Sequence, residues 1–423
     1  MMSLLGVGSV ICGVVSFSVA SDGLGGERRF ELVAPDAAAH DAFGAAVALD
    51  SARALLGAPG RDGAAGADSG GAYVFERTPS GTWVCAAVLV PSDAHPGARA
   101  GEAVALDGQR ALVGAPHLGK GFAYVFERLP AGAWVETQTI VGFDAQPGDL
   151  FGAAVALDGE MLWCGAPFND HGAGPDCGMV YDYRLIGASW VHIQETQSYA
   201  GDRLGSAVAI DGLRGLAGAP EAKLTWNQRT GRVLVLEWDP VELWKHTAWL
   251  VPAGAEVSDR FGDAVALEGA RILAGAPGHD APGVTDAGAA YVFERSDDGE
   301  WSERAALVAR DPTNAAGFGR AVALQGERAL VGAARAANPF GVSAGAVYAF
   351  DRAVDGMWRE SAKFMLLDGR VGDRLGAAIA IDRSRGGTAA LAGTLALLGA
   401  PGRTRPGAEQ AGSAWLVLLS AAK

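Results

Sequence analysis

The chain has 423 residues and a formal net charge of −14, and 49% of its residues are hydrophobic while 19% are charged. This composition supports a large core and excludes a wholly disordered chain. The negative charge repels phosphate backbones and anionic lipid surfaces, so we expect no nucleic-acid partner. Glycine is abundant, at 61 residues, and glycine-rich turns between short strands are typical of all-β proteins.

The first 20 residues have the pattern of a signal peptide. The segment from Leu4 to Ala20 is apolar and uncharged, and Ser18 and Ala20 lie where signal peptidase requires small residues. We expect residues 1–20 to be removed and the protein to be secreted, periplasmic or on the cell surface; an uncleaved anchor helix is the alternative. No later segment is long and apolar enough to cross a bilayer, so we expect no transmembrane span in the mature chain.

One sequence motif recurs along the chain, beginning with FGAAVALDSARALLGAP at residues 43–59. Successive copies are 51 to 57 residues apart, as measured at the glycine of the FG step, which is Gly44, Gly101, Gly152, Gly205, Gly262, Gly319 and Gly376. An aromatic segment such as AYVFER follows each GAP step or its variant. A tryptophan then opens a fourth segment in six units, at Trp83, Trp134, Trp190, Trp244, Trp301 and Trp358.

Each unit therefore contains four short apolar segments, which in the second unit are EAVALD, RALVGAP, AYVFER and WVETQTI. Their length and their β-branched and aromatic content are typical of strands. Asp107 and Gly108 join the first two segments and indicate a tight hairpin. Four antiparallel strands repeated at this spacing predict the blades of a β-propeller.

The seventh unit lacks a fourth strand of its own, and the segment RRFELVAPD at residues 28–36 has the character of that strand. An N-terminal strand that completes the last blade closes the ring and leaves no open sheet edge. The sequence thus predicts an all-β, seven-bladed β-propeller of four-stranded antiparallel blades over residues 28–420. Two smaller domains are the alternative, but the even spacing leaves no linker between them.

The order of FG step, GAP step and aromatic strand resembles the FG-GAP repeat of the integrin alpha-subunit N-terminal propeller and of related secreted bacterial proteins. The resemblance covers residues 30 to 419 and implies contact with an extracellular protein or glycan, as in cell adhesion. The family's calcium loop lies between the first two strands, where this chain has connections as short as LDGQR. Such a turn cannot supply the six to eight oxygens that calcium requires, so we expect no cofactor there, and calcium binding elsewhere stays open.

Binding residues are expected on the loops between the second and third strands, which emerge on the same face as the blade crossovers. Three of these loops share an Asp-x5-Asp spacing, and the pairs are Asp62 and Asp68, Asp170 and Asp176, and Asp280 and Asp286. One interpretation is weak binding of a cation or a basic ligand. The other, which we favour, is that the carboxylates hold the loop through hydrogen bonds to its backbone.

The loop of the fourth unit reads EAKLTWNQRTG and contains Lys223, Trp226 and Arg229. A tryptophan beside cationic and amide groups is suited to stack on a sugar or an aromatic side chain. The seventh loop adds Arg403 and Arg405. We interpret these residues as candidate ligand contacts.

Three further groups of residues have structural interpretations. The recurrent tryptophans are expected to pack between blades. We expect a turn-capping role for the aspartate two residues before the FG step, at Asp41, Asp149, Asp202, Asp259 and Asp373. Cys164 and Cys177 flank one loop, so a disulfide between them is predicted for an oxidising compartment, with buried free thiols as the alternative.

These patterns favour an exported binding module that contacts a protein or glycan through one loop face. The first alternative is an extracellular polysaccharide hydrolase or lyase with its site in the central funnel, and the second is a purely structural envelope component. None of the seven histidines lies in a G-x-S-x-G or H-E-x-x-H context, so a non-enzymatic role is favoured. The sequence leaves the ligand and the oligomeric state open.

Overall fold

The computed structural model describes residues 29–50, 52–170, 172–225, 228–382 and 393–420. These residues form seven four-stranded antiparallel sheets arranged as the blades of a propeller, and one loop carries an additional two-stranded hairpin. The predicted all-β, seven-bladed architecture is therefore confirmed. The predicted signal peptide lies outside the described residues, so its cleavage stays a prediction.

The strands follow one another from the channel outwards in each of the first six blades. Blade 1 contains β2 (Val47–Leu49), β3 (Arg53–Gly57), β4 (Ala72–Arg77) and β5 (Trp83–Leu89). Blade 2 contains β6 (Ala103–Asp107), β7 (Arg110–Ala115), β8 (Phe122–Arg128) and β9 (Trp134–Ile140). Blade 3 contains β10 (Ala154–Asp158), β11 (Met161–Ala166), β12 (Met179–Ile186) and β13 (Ser189–Gln197). Blade 4 contains β14 (Ala207–Asp211), β15 (Arg214–Ala219), β18 (Arg232–Asp239) and β19 (Leu243–Leu250), with the extra hairpin formed by β16 (Lys223–Thr225) and β17 (Gln228–Arg229).

The remaining blades keep this order. Blade 5 contains β20 (Val265–Glu268), β21 (Arg271–Ala276), β22 (Ala289–Arg295) and β23 (Trp301–Leu307). Blade 6 contains β24 (Ala321–Gln325), β25 (Arg328–Ala333), β26 (Ala346–Arg352) and β27 (Trp358–Phe364). Blade 7 contains β28 (Ile379–Ile381), β29 (Gly393–Ala400), β30 (Ser413–Ser420) and, as its outermost strand, β1 (Arg29–Leu32).

The ring is closed by its first strand, as the sequence predicts. β1 pairs with β30 in antiparallel register, with Phe30 opposite Leu416 and Leu32 opposite Ala414. An ion pair between Arg405 and Glu31 joins the last long loop to the same strand. The innermost strands of blades 7 and 1, β28 and β2, contact each other as the inner strands of the other neighbouring blades do.

The hydrophobic core consists of seven clusters, each between two neighbouring blades. The aromatic residue of the FG step lies fully buried in such a cluster: Phe43 is in edge-to-face contact with Tyr73, with 5.3 Å between the ring centroids. All six recurrent tryptophans belong to these clusters or pack against them, which confirms their interpretation as residues that pack between blades.

Two glycines of each repeat allow neighbouring blades to approach closely. Gly262, in the FG step of blade 5, has a φ of +91°, which disfavours any residue with a side chain. Gly275, in the GAP step of the same blade, lies against the carbonyl oxygen of Gly319 in blade 6, and a Cβ at this position would overlap that oxygen. The same pairing of GAP glycine with FG carbonyl joins Gly399 of blade 7 to Gly44 of blade 1.

The predicted disulfide between Cys164 and Cys177 is absent, because both residues are buried free thiols. Cys164 lies on β11 opposite Tyr181, which is four residues further along the chain than Cys177. At the rise of a β-strand that offset corresponds to about 13 Å, beyond the Cα separation that a disulfide spans. Cys177 instead donates a hydrogen bond from Sγ to the carbonyl oxygen of Asn169, at 3.1 Å.

Candidate functional site

The connections between strands lie on two opposite faces of the ring. We call the face with the tight turns between first and second strands, such as residues 107–110, the turn face. The face with the long second-to-third loops and the blade crossovers, such as residues 58–71 and 90–102, is the loop face. Those sequence-predicted binding residues that the structure describes belong to the loop face.

The turn face is held together by ion pairs that recur between neighbouring blades. Arg214 of blade 4 pairs with Glu237 through Nε and Oε1, at 3.0 Å, and donates from Nη1 to the carbonyl oxygen of Gly269 in blade 5, at 2.8 Å. Arg295 of blade 5 also pairs with Glu237, at 3.1 Å. Equivalent pairs of contacts are made by Arg53, Arg110 and Arg271.

The acidic residue of each LDG-type turn also contacts the next blade. The Asp107 carboxylate accepts a hydrogen bond from the backbone N–H of Gly159, at 2.8 Å. Asp158, Asp211 and Glu268 accept the equivalent bond from the next turn glycine. These acids are spread around the ring, each occupied by a backbone donor, so the turn face has a structural role.

The buried aspartate before the FG step caps its turn, as the sequence predicts. Asp41 accepts a hydrogen bond on Oδ2 from the backbone N–H of Ala38, at 2.7 Å. The same contact to the residue three positions earlier is made by Asp149, Asp202, Asp259 and Asp373. Burial raises the pKa of Asp41 and of Asp149. In blade 5, the hydrogen bond to Asp259 raises the pKa of His279.

The Asp-x5-Asp pairs hold their loops in shape. In each pair the first carboxylate accepts a hydrogen bond from the backbone N–H of the second aspartate, at 2.9 Å for Asp62 and Asp68, 2.9 Å for Asp170 and Asp176, and 2.7 Å for Asp280 and Asp286. The second aspartate has a φ near +50° in all three loops. The structural interpretation therefore accounts for the geometry, and a ligand role stays a prediction. The pairs belong to blades 1, 3 and 5, so an intervening blade separates each from the next.

The extra hairpin of blade 4 displays two of the predicted cations. Lys223 on β16 pairs in register with Arg229 on β17, and both side chains are exposed. Trp226, the third candidate ligand contact of this loop, lies outside the described residues. Arg229 also forms an ion pair with Glu221, with 3.4 Å between Nη1 and Oε2.

Glu221 is the centre of a charged network on the loop face of blades 3 to 5. Arg203 and Arg260 approach its Oε1 at 4.0 and 3.9 Å, and Arg229 pairs with its Oε2. Arg203 also pairs with Asp176 of blade 3, at 3.6 Å. The network thus joins two sequence-predicted residues, Asp176 and Arg229, and adds two arginines that the sequence analysis did not single out. Arginines that precede an FG step are the signal that identifies the added pair.

The other two predicted arginines, in the seventh loop, have structural partners. Arg403 is 8% exposed and donates from Nη1 to Oδ2 of the buried Asp373, at 2.7 Å. Arg405 pairs with Glu31 of the first strand. Both guanidinium groups are therefore engaged inside the molecule, so the structure does not support their interpretation as ligand contacts.

The central channel has an apolar wall. A cavity of about 200 Å³ is lined by three consecutive residues from each inner strand, as in Val47, Ala48 and Leu49 of blade 1. Titratable side chains appear instead at the loop-face mouth of the channel. In blade 2, Glu102 pairs with Arg99, at 2.9 Å, and with Nε2 of His117, at 3.1 Å.

The described residues contain no helix long and apolar enough to cross a lipid bilayer. Within the same part of the chain, no group of three or more His, Cys, Asp or Glu side chains is arranged to hold a metal ion.

Several solved structures have a fold similar to that of this chain. A protein from Lactobacillus plantarum has a TM-score of 0.54 at 15% identity, over 84% of this chain and 97% of that one. A proposed 6-phosphogluconolactonase from Bacteroides uniformis has a TM-score of 0.54 at 10% identity, over 84% and 96%. A periplasmic gluconolactonase from Pseudomonas aeruginosa has a TM-score of 0.52 at 14% identity, over 77% and 86%. At these identities the likeness concerns the fold alone.

A comparison with curated proteins by sequence gave no significant match. The model of the FG-GAP repeat, in contrast, matches five segments, which are residues 27–75, 83–126, 134–183, 244–293 and 301–350. These segments make up more than half of the chain and include the FG steps of blades 1, 2, 3, 5 and 6. The protein therefore belongs to the FG-GAP repeat family.

Proposed function

We propose that this protein is an exported binding module that contacts an extracellular protein or glycan through its loop face, as in adhesion. One observation carries the proposal. Equivalent turn-face positions repeat the same arginine, acid and glycine and pair them with one another. The loop-face position after each GAP step is glycine in three blades and a different residue in each of the other four, and the seven residues are Gly60, His117, Phe168, Glu221, Gly278, Arg335 and Gly402.

This contrast separates residues that build the ring from residues that are free to recognise a ligand. A closed ring of packed blades is a rigid support, and binding residues usually lie on loops above such a support. The network around Glu221 supports the proposal, because it holds three guanidinium groups in defined positions at an accessible surface. Arginine fixed in this way is common among residues that dominate binding energy.

Export is supported by the apolar segment from Leu4 to Ala20. A location outside the cytoplasm also agrees with a ligand of glycan or matrix type. The mature protein would then be secreted, periplasmic or attached to the cell surface.

Matched variants on the two faces test the proposal. The loop-face variant is Lys223→Ser combined with Arg229→Ser, and the turn-face control is Val354→Ser, at an exposed residue between β26 and β27. We expect the parent protein to bind at least one ligand on a glycan array or a panel of extracellular matrix proteins. The loop-face variant should lose most of that binding at an unchanged melting temperature, while the control keeps it.

Two results would contradict this function. Binding that the turn-face control loses as much as the loop-face variant would place the ligand elsewhere. A complete absence of ligands would favour a structural envelope component instead.

A second candidate function is hydrolysis at the mouth of the channel. The pairing of Glu102 with His117 favours it, because a carboxylate that orients an imidazole is a common general-base arrangement. Two of the similar folds carry lactonase names, so glucono-lactone is the first substrate to test, followed by extracellular polysaccharides. Turnover that Glu102→Gln reduces at least tenfold would favour this candidate. The apolar channel wall favours the binding module.

A further inference from the structure

Three loop-face positions of the repeat lie together at the mouth of the channel. They are the residue before the FG step, the residue after it, and the residue after the GAP step. In blade 2 these are Arg99, Glu102 and His117, and Glu102 contacts both of the others, at 2.9 and 3.1 Å. The residue before the FG step also contacts the preceding blade, since Arg203 of blade 4 lies 4.7 Å from the ring centre of Phe168 of blade 3.

Arginine occupies these positions where blade 6 meets blade 7. Arg320 follows the FG step of blade 6, Arg335 follows its GAP-type step, and Arg374 precedes the FG step of blade 7. Their backbones keep the contacts of the other blades. Arg335 N donates to the carbonyl oxygen of Ala316, at 3.1 Å, as Phe168 N does to that of Asp149, at 3.3 Å. Across the blade boundary, Arg374 N donates to the carbonyl oxygen of Ser343, at 3.1 Å, as Arg203 N does to that of Asp176, at 3.0 Å. The backbones of the three positions are therefore arranged here as in the other blades.

Within the described residues, none of these three arginines pairs with an acid. All three side chains are exposed, and the described part of the chain provides none of them with a side-chain hydrogen bond or an ion pair. At the same positions, Arg99 pairs with Glu102, and Arg260 pairs with Asp263.

The acids nearest in the sequence are already occupied. Asp368 and Asp373, in the crossover that leads to Arg374, are both bound to Arg403. The result is a cluster of three like charges in a chain whose net charge is −14. Like charges held close together repel one another, and a bound anion relieves that repulsion.

We infer that Arg320, Arg335 and Arg374 form a binding site for an oxyanion, that is, a phosphate, sulfate or carboxylate group of the ligand. The inference rests on the proposed function, because it assigns a ligand chemistry to one sector of the loop face. Arginine is suited to this role, because its planar fork donates two parallel hydrogen bonds to such groups. Three guanidinium groups, two from blade 6 and one from blade 7, favour a group with several acceptor oxygens.

Isothermal titration calorimetry on the full chain at low salt tests the site with named probes. Inorganic phosphate, sulfate and citrate represent free anions, and dextran sulfate against neutral dextran represents an anionic polymer. We expect saturable binding of at least one anionic probe, no binding of neutral dextran, and weakening by added salt. Arg335→Gln should reduce the affinity at least about tenfold, and Arg320→Gln and Arg374→Gln should act in the same direction.

Arg99→Gln is the matched control, because it removes an arginine at the position of Arg374 that already has an acidic partner. This variant should bind the anionic probes as the parent does, and all variants should keep the parent's melting temperature within a few degrees. Absence of binding to every anionic probe would overturn the inference, and so would equal losses in Arg335→Gln and Arg99→Gln.

The result also separates this inference from the proposed function. If the glycan or matrix panel yields a ligand that depends on Lys223 and Arg229 but no anionic probe binds, only the oxyanion site is wrong. If the anionic probes bind as expected and the panel yields nothing, the oxyanion site stands and the wider function of the loop face is wrong.

Discussion

The glycine of the GAP step determines how closely neighbouring blades approach. Gly275 has an ordinary φ, so its requirement for glycine is steric and comes from the carbonyl oxygen of Gly319 in the next blade. The FG and GAP glycines thus act as a pair across each blade boundary, which explains why the FG and GAP motifs recur together. The sequence shows that both glycines recur, but the contact joins residues of different blades and appears only in three dimensions.

Gly275→Ala is expected to lower the free energy of unfolding by at least about 3 kcal/mol, because the blades must move apart to admit the methyl group. Gly254→Ala is the control, since a Cβ there meets no atom within 4 Å and the residue has no positive φ. The control should be neutral or slightly stabilising. Urea denaturation of both variants measures the difference, and similar values for the two would contradict the steric account.

A second residue, Asp182 on β12, links stability to pH. It is 3% exposed and accepts a hydrogen bond on Oδ1 from Nε1 of Trp163, at 3.0 Å. Burial raises its pKa from 3.8 to about 7. The folded state therefore holds the proton more tightly than the unfolded chain, so this residue's contribution to stability falls as the pH rises from about 4 to about 7.

Asp182→Asn should be more stable than the parent by about 2 kcal/mol at pH 8 and no more stable at pH 4. Each pKa unit corresponds to about 1.4 kcal/mol, so the shift amounts to about 4 kcal/mol, and an amide hydrogen left without an acceptor offsets part of the gain. Urea denaturation at the two pH values provides the test. An equal gain at both would show that ionisation of Asp182 is not the cause.

At the scale of strands and turns, the turn face joins the blades through charge. Glu294 on β22 accepts from Arg271 of its own blade at 3.0 Å, and Arg352 of blade 6 approaches it at 3.6 Å. The last two residues of this AYVFER segment therefore act at different blade boundaries. Glu294 contributes an acid to the boundary with blade 6, and Arg295 contributes an arginine to the boundary with blade 4. From the sequence alone these residues are charged strand ends, because these partners lie more than 20 residues away, on a neighbouring strand or in a neighbouring blade.

Glu294→Gln is expected to lower the free energy of unfolding by about 1 kcal/mol, because it removes one of the two acids that neutralise the partly buried guanidinium groups of Arg271 and Arg352. The other acid, Glu327, remains. Glu300→Gln, at an exposed acid in the turn between β22 and β23, should change it by less than about 0.5 kcal/mol. Thermal denaturation at low and at high salt measures both effects. If the two variants behave alike, the turn-face pairs do not stabilise the ring.

Predictions from the sequence succeeded for some features of the loops and failed for others. The Asp-x5-Asp spacing predicted a loop held by its own carboxylates, and Asp62 forms that bond with the backbone of Asp68. The disulfide prediction failed because Cys164 and Cys177 flank the same loop in the sequence but differ by four residues in strand register. The oxyanion site was not predicted because the sequence does not show that the nearby acids Asp368 and Asp373 are both paired with Arg403.

At the scale of the whole molecule, the sequence predicted the blade number and the closure, because the spacing of the repeats and the incomplete seventh unit both appear along the chain. Closure also determines function in this account. Only a closed ring places blade 7 beside blade 1 and holds the long loops of all seven blades on one rigid face. The pairing of β1 with β30 provides that closure.

Hydrogen–deuterium exchange of the full chain, followed by mass spectrometry of peptides, tests the closure directly. The account predicts that residues 413–420, which are paired on both sides, exchange slowly, and that those amides of residues 29–32 that face β30 exchange much more slowly than an exposed turn. The exposed turn residues Asp297 and Asp298, whose amides form no backbone hydrogen bond within the described residues, provide the fast reference in the same experiment. Exchange of residues 29–32 at the rate of that turn, with residues 413–420 still protected, would contradict a ring closed by its first strand.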